Sequence, residues 1–189
     1  MVDFLVMATG PLLIALVLWM FWASHNRLTE LDQRCATAFA DIDVLLSERH
    51  SLIPPLVETV RGIAGHEQKV LTDVTRARAA AMAATGASHR LEAETQVGQC
   101  IASMFSIVES YPGIAAATHF SELQAELVRI EDRITAARRF YNLAVGEYNA
   151  TKSQFPGSLT ASMAKLAPRE TFTLDARRET FDRPVEISF

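Results

Sequence analysis

Apolar and small residues recur along most of the chain at alternating steps of three and four positions. This spacing predicts long helices that pack at shallow angles, as in bundles and coiled coils. The first run contains Leu28, Leu31, Cys35, Ala38, Ile42, Leu45, Arg49 and Leu52. The most regular run contains Phe120, Leu123, Leu127, Ile130, Ile134, Ala137, Tyr141, Ala144 and Tyr148. Two further runs lie between them, from Leu56 to Ala81 and from Leu91 to Val108. We call the positions of all four runs the seam, and three charged residues occupy it: Arg49, Glu67 and Glu94.

Segments rich in proline and glycine divide the seam into helices. Pro54-Pro55 is predicted to be a helix joint, because proline lacks an amide donor and is accepted in a first helical turn. The fold is therefore predicted to be all-α, an antiparallel bundle of three to four long helices with an extended tail. The predicted elements are helices at 25–53, 54–84, 89–110 and 117–153, a short helix at 158–167 and a C-terminal strap at 168–189.

An N-terminal apolar segment precedes the bundle. It runs from Phe4 to residue 23 without a charge, 20 residues that match a hydrocarbon core of about 30 Å. Trp19 and Trp22 lie at one end, as interfacial aromatic residues do, and Gly10-Pro11 is a candidate bend. We predict a transmembrane helix at 4–24 that continues into the first bundle helix. The acidic start and the long apolar core argue against a cleaved signal peptide.

The distribution of arginine predicts the orientation of this segment. Arg27 and Arg34 follow it, and no lysine or arginine precedes it. The positive-inside rule then predicts a cytoplasmic helical body and an outside N-terminus in a bacterial inner membrane. A periplasmic body is the alternative.

Composition excludes several classes of function. The net charge of −4 provides no basic face for nucleic acid. Cys35 and Cys100 form no CxxC pair, and the Glu-x-x-His repeat of di-iron bundles does not occur. No glycine-rich phosphate loop and no Ser-His-Asp set can be proposed. The sequence therefore predicts no catalytic residue, no cofactor and no metal.

Arg49 and His50 lie beside the predicted joint, and two interpretations remain open. In one, they form an ion or phosphate site. In the other, Arg49 pairs with a carboxylate or caps carbonyl groups at a helix end. Glu67 and Glu94 raise a similar choice, because a carboxylate that faces a bundle interior is either a metal ligand or part of the fold.

Two Tyr-Asn pairs lie seven residues apart, Tyr141-Asn142 and Tyr148-Asn149. Both rings therefore fall on the seam, and both amides lie beside it. A buried tyrosine still needs a partner for its hydroxyl. Either the pairs form a groove for a ligand or partner, or the rings belong to the core and neighbouring helices cap their hydroxyls. Ile130 and Ile134 are predicted core residues of the same run.

Several stretches carry a resemblance to a known family. AFADIDVLLSERHSLIPPLVETVRGIAGHE, LTDVTRAR, FSELQAELVRIEDRITAARRFYNLAVGEYN, FPGSL and the closing RPVEISF resemble the bacterial LemA family over nearly the whole chain. The family usually carries Asp where Ser51 stands and Asn where Pro55 stands. The resemblance implies a helical bundle on one membrane span, with no known enzymatic activity, cofactor or catalytic residue. Relatives in magnetic bacteria are associated with magnetosome membranes, which points to the organisation or shaping of membranes.

Two functions are carried forward from the sequence. The first is a single-pass, membrane-anchored and non-catalytic scaffold that contacts lipid, forms a homo-oligomer and recruits partners or shapes membrane. The second is a small-molecule or metal-dependent sensor or enzyme that uses the seam carboxylates, Arg49 and the groove at the Tyr-Asn pairs.

Overall fold

The computed structural model describes residues 2–62, 68–85, 87–115 and 117–172, with side chains except at 2–9, 87–88 and 114–115. These residues form helices and their connections, and no strand occurs among them, so the predicted all-α fold is confirmed. The helices are α1 (Val2–Arg61), α2 (Gln68–Ala83), α3 (Ala87–Val108), α4 (Pro112–Ala115), α5 (Thr118–Ser153) and α6 (Gly157–Met163).

The chain divides into two compact units. Unit 1 contains the described residues up to Asp41 together with 139–171, and unit 2 contains Ile42 to Arg138 together with Phe172. Unit 1 buries seam residues of α1 and α5 and one side of α6, namely Leu28, Leu31, Cys35, Ala38, Tyr141, Ala144, Tyr148 and Ala161. Within it, the rings of Phe39 and Tyr141 pack edge to face with centroids 5.7 Å apart.

Unit 2 has an apolar core made by four helices. It buries Ile53, Leu56, Val57 and Val60 of α1, Leu71, Val74, Ala77 and Ala81 of α2, Val97, Ile101, Met104 and Val108 of α3, and Phe120, Leu123 and Leu127 of α5. These residues follow the three-and-four spacing of the sequence, because that spacing returns side chains to one helix face. Ile130 and Ile134 are also fully buried.

The helix joint predicted at Pro54 and Pro55 is wrong, because α1 continues through both prolines to Arg61. A proline inside a helix leaves the carbonyl four residues earlier without its amide donor. For Pro54 that carbonyl belongs to His50, and Arg78 Nε donates a hydrogen bond to it at 2.8 Å. A side chain of α2 thus replaces the hydrogen bond that Pro54 cannot make. The predicted second helix, 54–84, is correspondingly shorter, and its seam residue Glu67 lies outside the described residues.

The short helix predicted at 158–167 ends earlier, at Met163. Lys165 adopts a left-handed backbone conformation with φ of 52°, which stops a right-handed helix. The amide of Leu166 then donates to the carbonyl of Ala161 at 3.0 Å, as in a common helix C-cap. At the other end there is no room for a side chain at Gly157, since a Cβ would lie 2.1 Å from the Thr151 carbonyl oxygen.

The N-terminal apolar segment is the beginning of α1. Among the described residues no helix is long and apolar enough to cross a membrane. The transmembrane helix predicted for 4–24 is therefore not supported. The side chain of Phe4 is not among those that the structure describes.

Candidate functional site

A buried ion network occupies unit 2. Arg49 of α1 and Glu94 of α3 are each 1% exposed. Arg49 Nη2 donates to the Glu94 carboxylate and, at 3.1 Å, to the Glu94 backbone carbonyl. Arg49 Nη1 donates at 2.8 Å to Glu131 of α5, whose side chain is half-exposed. His50 Nε2 lies 3.1 Å from Glu94 Oε1 and 3.3 Å from Oε2. Three helices are thus connected through one guanidinium.

The network keeps Glu94 ionised although it is buried. Burial alone raises the pKa of this carboxyl group, because a charge is poorly solvated in the protein interior. The hydrogen bond from His50 and the positive charge of Arg49 act in the opposite direction and together outweigh burial. The pKa of Glu94 is therefore below its ordinary value. The arrangement is a paired charge in the interior, which ordinarily serves structure rather than proton transfer.

A cleft opens beside this network in unit 2. It has a volume of about 520 Å³ and is bounded by the charged residues Arg49, Glu94, Glu131 and Arg138. Its apolar lining includes Ile101, Ala102, Phe105, Leu127 and Val128. A concave site that combines a mostly apolar lining with a few polar groups is typical of small-molecule sites.

Side chains that could bind a metal do not cluster among the described residues. Across the ranges that the structure describes, no three His, Cys, Asp or Glu side chains are placed to hold one metal ion. Cys35 is buried, and burial raises the pKa of its thiol. Burial likewise raises the pKa of Cys100.

The Tyr-Asn pairs of unit 1 hold a segment of the chain's own backbone. Tyr141 Oη donates to the carbonyl of Glu170, and Tyr148 Oη donates to the carbonyl of Ala167, each at 3.0 Å. Asn149 pairs with the backbone of Arg169 in both directions, since its Nδ2 donates to the carbonyl at 2.9 Å and its Oδ1 accepts from the amide at 3.1 Å. The partners of these side chains are therefore backbone groups of residues 167–170, where the strap begins.

A side chain of the strap also contacts α1. Arg169 Nε donates to Asp32 Oδ1 at 2.7 Å. This contact and the deep burial of Tyr148 fix the register of the segment against unit 1. Residues 173–189, which form most of the predicted strap, lie outside the described residues.

The structure brings some of the predicted site residues together and leaves others apart. Arg49, His50 and Glu94 meet in one network. Asn142 is half-buried, whereas Tyr141 and Tyr148 are buried beside the strap. Gly10, Pro11, Trp19 and Trp22 are exposed on α1.

Sequence reasoning missed four charged residues that complete these sites. They are Arg78, Glu131, Arg138 and Arg169. Glu131 and Arg138 each follow a seam position and lie seven residues apart, so they share one heptad position beside the core. That spacing is the one signal in the sequence that could have pointed to them.

Comparison with known proteins gives one family and three relatives. The profile of the LemA family matches residues 38–189. Magnetosome proteins MamQ 1 and MamQ 2 of Paramagnetospirillum magneticum are each 29% identical over 87 residues, which cover 46% of this chain and 32% of each relative. Magnetosome protein MamQ of Magnetospirillum gryphiswaldense is 28% identical over 82 residues, 43% of this chain and 30% of that relative. The matched segment is thus about a third of the length of these relatives.

Proposed function

Because this chain belongs to the LemA family, we propose that it is a non-catalytic helical scaffold that attaches to a membrane and self-associates there. The matched relatives are named magnetosome proteins rather than enzymes, which supports a role in organising a cell structure. The proposal has three parts, membrane attachment, self-association and orientation, and each has its own support.

The exposed apolar surface of α1 carries the proposal of membrane attachment. Its apolar side chains between positions 12 and 22 are 46% to 71% exposed: Leu12, Leu13, Ile14, Leu16, Val17, Leu18, Trp19 and Trp22. Successive helical residues turn by about 100°, so this run is apolar around its whole circumference. Contact of such a surface with water is unfavourable, and its transfer into hydrocarbon is favourable. The proposed membrane-attached segment is therefore the start of α1.

Helix α6 adds a smaller apolar surface in unit 1. Phe155, Leu159 and Met163 are exposed around it. On the opposite, buried side, Thr160 Oγ1 lies 3.2 Å from Ser24 Oγ, directly after the apolar run of α1. The exposed side chains therefore lie near the proposed point of membrane attachment, where an apolar helix face can enter the lipid interface.

Membrane attachment is tested by adding two charges to the apolar run. We expect Leu13→Arg/Val17→Arg to be released from membranes by alkaline carbonate, while the unsubstituted protein stays in the membrane pellet. The matched control is Gln33→Arg/Thr37→Arg, which adds the same charges at the same spacing to exposed positions of α1. Release of the unsubstituted protein by carbonate would contradict membrane insertion.

The contribution of α6 is tested with an environment-sensitive fluorophore. The probe is attached to Met163→Cys or to the neighbouring Ser162→Cys, with Cys35 and Cys100 replaced by alanine. On addition of lipid vesicles, we expect a blue shift at position 163 and a smaller one at position 162. Equal shifts would show that α6 has no lipid-facing side.

Self-association has support in α5. Phe140 and Leu143 are 54% and 68% exposed and lie three residues apart, so they form one apolar surface on the helix. Attachment to a membrane would raise the effective concentration of such surfaces. We expect Phe140→Ser/Leu143→Ser to lower the mass of the full-length protein in detergent, whereas Val44→Ser, at an equally exposed apolar position, leaves it unchanged. A monomeric unsubstituted protein in both detergent and lipid would remove this part of the proposal.

The proposed orientation places the helical body in the cytoplasm, on the basis of Arg27 and Arg34 after the apolar run. The exposed position Gln96 of unit 2 offers a test, as Gln96→Cys in a chain without Cys35 and Cys100. We expect no labelling of intact cells by an impermeant thiol reagent and full labelling after lysis. Labelling from outside would instead assign the body to the periplasm.

A further inference from the structure

Arg138 has an edge of its guanidinium without an acceptor. Its Nε and Nη2 atoms are buried and have no hydrogen-bond partner within the part of the chain that the structure describes. These two donors lie side by side, on the edge that makes paired hydrogen bonds with both oxygens of a carboxylate. A buried donor without an acceptor is unfavourable, so such an edge calls for a ligand or a compensating group.

Each carboxylate that lines the cleft is bonded to Arg49 through one oxygen, while Glu94 Oε1 is buried and makes no hydrogen bond within the described residues. Glu94 and Glu131 both accept hydrogen bonds from Arg49, one from each Nη atom. Burial lowers the pKa of Arg138 below its ordinary value, because the protein interior solvates the charge poorly. The negative charge of Glu131 opposes this shift, and the positive charge of Arg49 adds to it. Arg49 and Arg138 line the same cleft. Among the described residues Arg49 hydrogen-bonds to both carboxylates, whereas Nε and Nη2 of Arg138 make no hydrogen bond.

The contact that Arg138 does make leaves this edge open. Its Cζ lies over the ring of Phe172, 5.5 Å from the centroid. A cation–π contact uses the face of the guanidinium, whereas hydrogen bonds use its edges. The ring of Phe172 therefore contacts the guanidinium without forming a hydrogen bond to Nε or Nη2.

The rest of the cleft is suited to an apolar body. Phe105 of α3 and Leu127 and Val128 of α5 contribute to the lining, and Val128 is 53% exposed. The volume of about 520 Å³ falls within the range of small-molecule sites, about 300–1,000 Å³. Gly98 of α3 keeps the space open, since a Cβ placed there would meet only Arg49 Nη1, at 4.0 Å.

From these observations we propose that the cleft of unit 2 binds a small amphipathic carboxylate. Because the Nε and Nη2 atoms are covered in the absence of ligand, binding turns this edge of Arg138 into the cleft, where it donates two parallel hydrogen bonds to the carboxylate. The alkyl or aryl body of the ligand lies against the side chains of α3 and α5. Arg49 is not a ligand-binding group in this arrangement, because its Nη atoms hold Glu94 and Glu131 in place. The site requires neither membrane attachment nor self-association.

Binding is tested by calorimetry on the full-length protein in detergent, with empty micelles as the blank. Hexanoate is the probe, and hexanamide is its neutral analogue of the same shape. We expect saturable binding of hexanoate at about millimolar concentration or below, as the small size of the probe allows. Hexanamide should bind about tenfold more weakly or worse, since hydrogen bonds to a charged acceptor are the stronger ones.

Four variants test the proposed site. Arg138→Gln removes the charge and Arg138→Lys keeps the charge without the two-donor edge, and we expect both to weaken hexanoate binding about tenfold or more. Arg139→Gln is the matched control, because it removes a neighbouring but exposed arginine of the same helix and should change nothing. Gly98→Leu fills the cleft while favouring the helix, and should abolish binding with Tm maintained.

A structural role for Arg138 predicts different results. If the guanidinium mainly stabilised the fold, Arg138→Met would lower Tm. A group that lacks an acceptor until ligand binds should instead leave Tm unchanged or raised on Arg138→Met, while hexanoate no longer raises it. The proposal is overturned by no saturable binding of hexanoate, by equal binding of hexanamide, by unchanged binding to Arg138→Gln, or by tighter binding of hexyl phosphate.

Discussion

Both units bury polar side chains at or beside the seam, but the hydrogen-bond partners of these side chains differ between the units. In unit 2, Arg49 and Glu94 are charged, and each depends on other charged side chains for its partners. In unit 1, Tyr148 and Asn149 are neutral, and they bond to backbone groups of residues 167–169. A buried charge without its partner is far more unfavourable than a neutral group without its partner. The difference makes unit 2 the more sensitive of the two to single substitutions.

The comparison also separates two uses of buried polarity. An ion pair in the interior adds little net stability, since the desolvation of two charges offsets most of their attraction. It does restrict which helices can meet, because Arg49 of α1 donates hydrogen bonds to Glu94 of α3 and to Glu131 of α5 at the same time. The hydrogen bonds in unit 1 instead fix an irregular segment whose backbone groups have no helix to satisfy them. We therefore interpret the first as a device for helix register and the second as a device for holding the strap.

The largest expected effect comes from burying a carboxylate without an arginine. Ile130 is fully buried on the seam of unit 2, as Glu94 is, but in an apolar position. Ile130→Asp should cost several kcal/mol, from lost apolar burial and from desolvation of the new charge, and Ile134→Asp should do the same. Unfolding in denaturant measures the loss. If these variants are expressed as well as the unsubstituted protein and have the same Tm, the seam tolerates a buried charge that has no partner.

Removing the guanidinium from the network should be the next largest effect. Arg49→Met leaves Glu94 buried beside His50 alone, and loss of one partner of a buried pair typically costs about 3–5 kcal/mol. The double variant Arg49→Met/Glu94→Met replaces both charges by apolar groups and should recover most of that loss. A double-mutant cycle by chemical unfolding measures the coupling. Additive effects would contradict the pairing.

Acid should reveal the same network. Because the pKa of Glu94 is lower in the folded than in the unfolded chain, the unfolded state takes up the proton first as pH falls. The stability it contributes is fully present above its ordinary pKa of 4.5 and is lost as pH falls from there through the folded pKa. We expect Glu94→Gln to show a shallower loss of stability below about pH 4.5. Glu92→Gln, at an exposed position two residues away, should keep the slope of the unsubstituted protein.

Much of the fold follows from spacing. The seam positions of α5 from Phe120 to Tyr148 are buried or half-buried, because helical geometry alone decides which residues share a face. Helix ends set by local chemistry were harder to predict. The stop at Lys165 depends on a left-handed backbone conformation of a lysine, for which the residue type gives no signal. The continuation through Pro54 depends on Arg78, a donor from another helix.

The candidate site shows the same limit. Arg49 and Glu94 stand out as charges on an apolar seam, yet they are 45 residues apart and nothing in the spacing pairs them. Arg138 is harder still, because its significance lies in the acceptor that it lacks. Periodicity predicts which residues are buried, whereas partners across helices depend on packing. For the same reason, spacing places both Tyr-Asn pairs on one face of α5 but does not identify residues 167–170 as their partners.

The smallest effect should come from the hydrogen bonds to the backbone of residues 167–170 in unit 1. Tyr148→Phe keeps the ring and its burial but removes the hydrogen bond to the carbonyl of Ala167. The cost should be about 0.5–1.5 kcal/mol, the usual net contribution of a neutral hydrogen bond. Since Asn149 still pairs with Arg169 in both directions, the segment should remain in place. Hydrogen exchange should therefore speed up at residues 166–170 and stay unchanged at Glu94 and the residues around it. A loss of about 3 kcal/mol or more would make the fold as sensitive to the loss of the Tyr148 hydroxyl as to the loss of a charge from the network of unit 2. The contrast between the two units would then disappear.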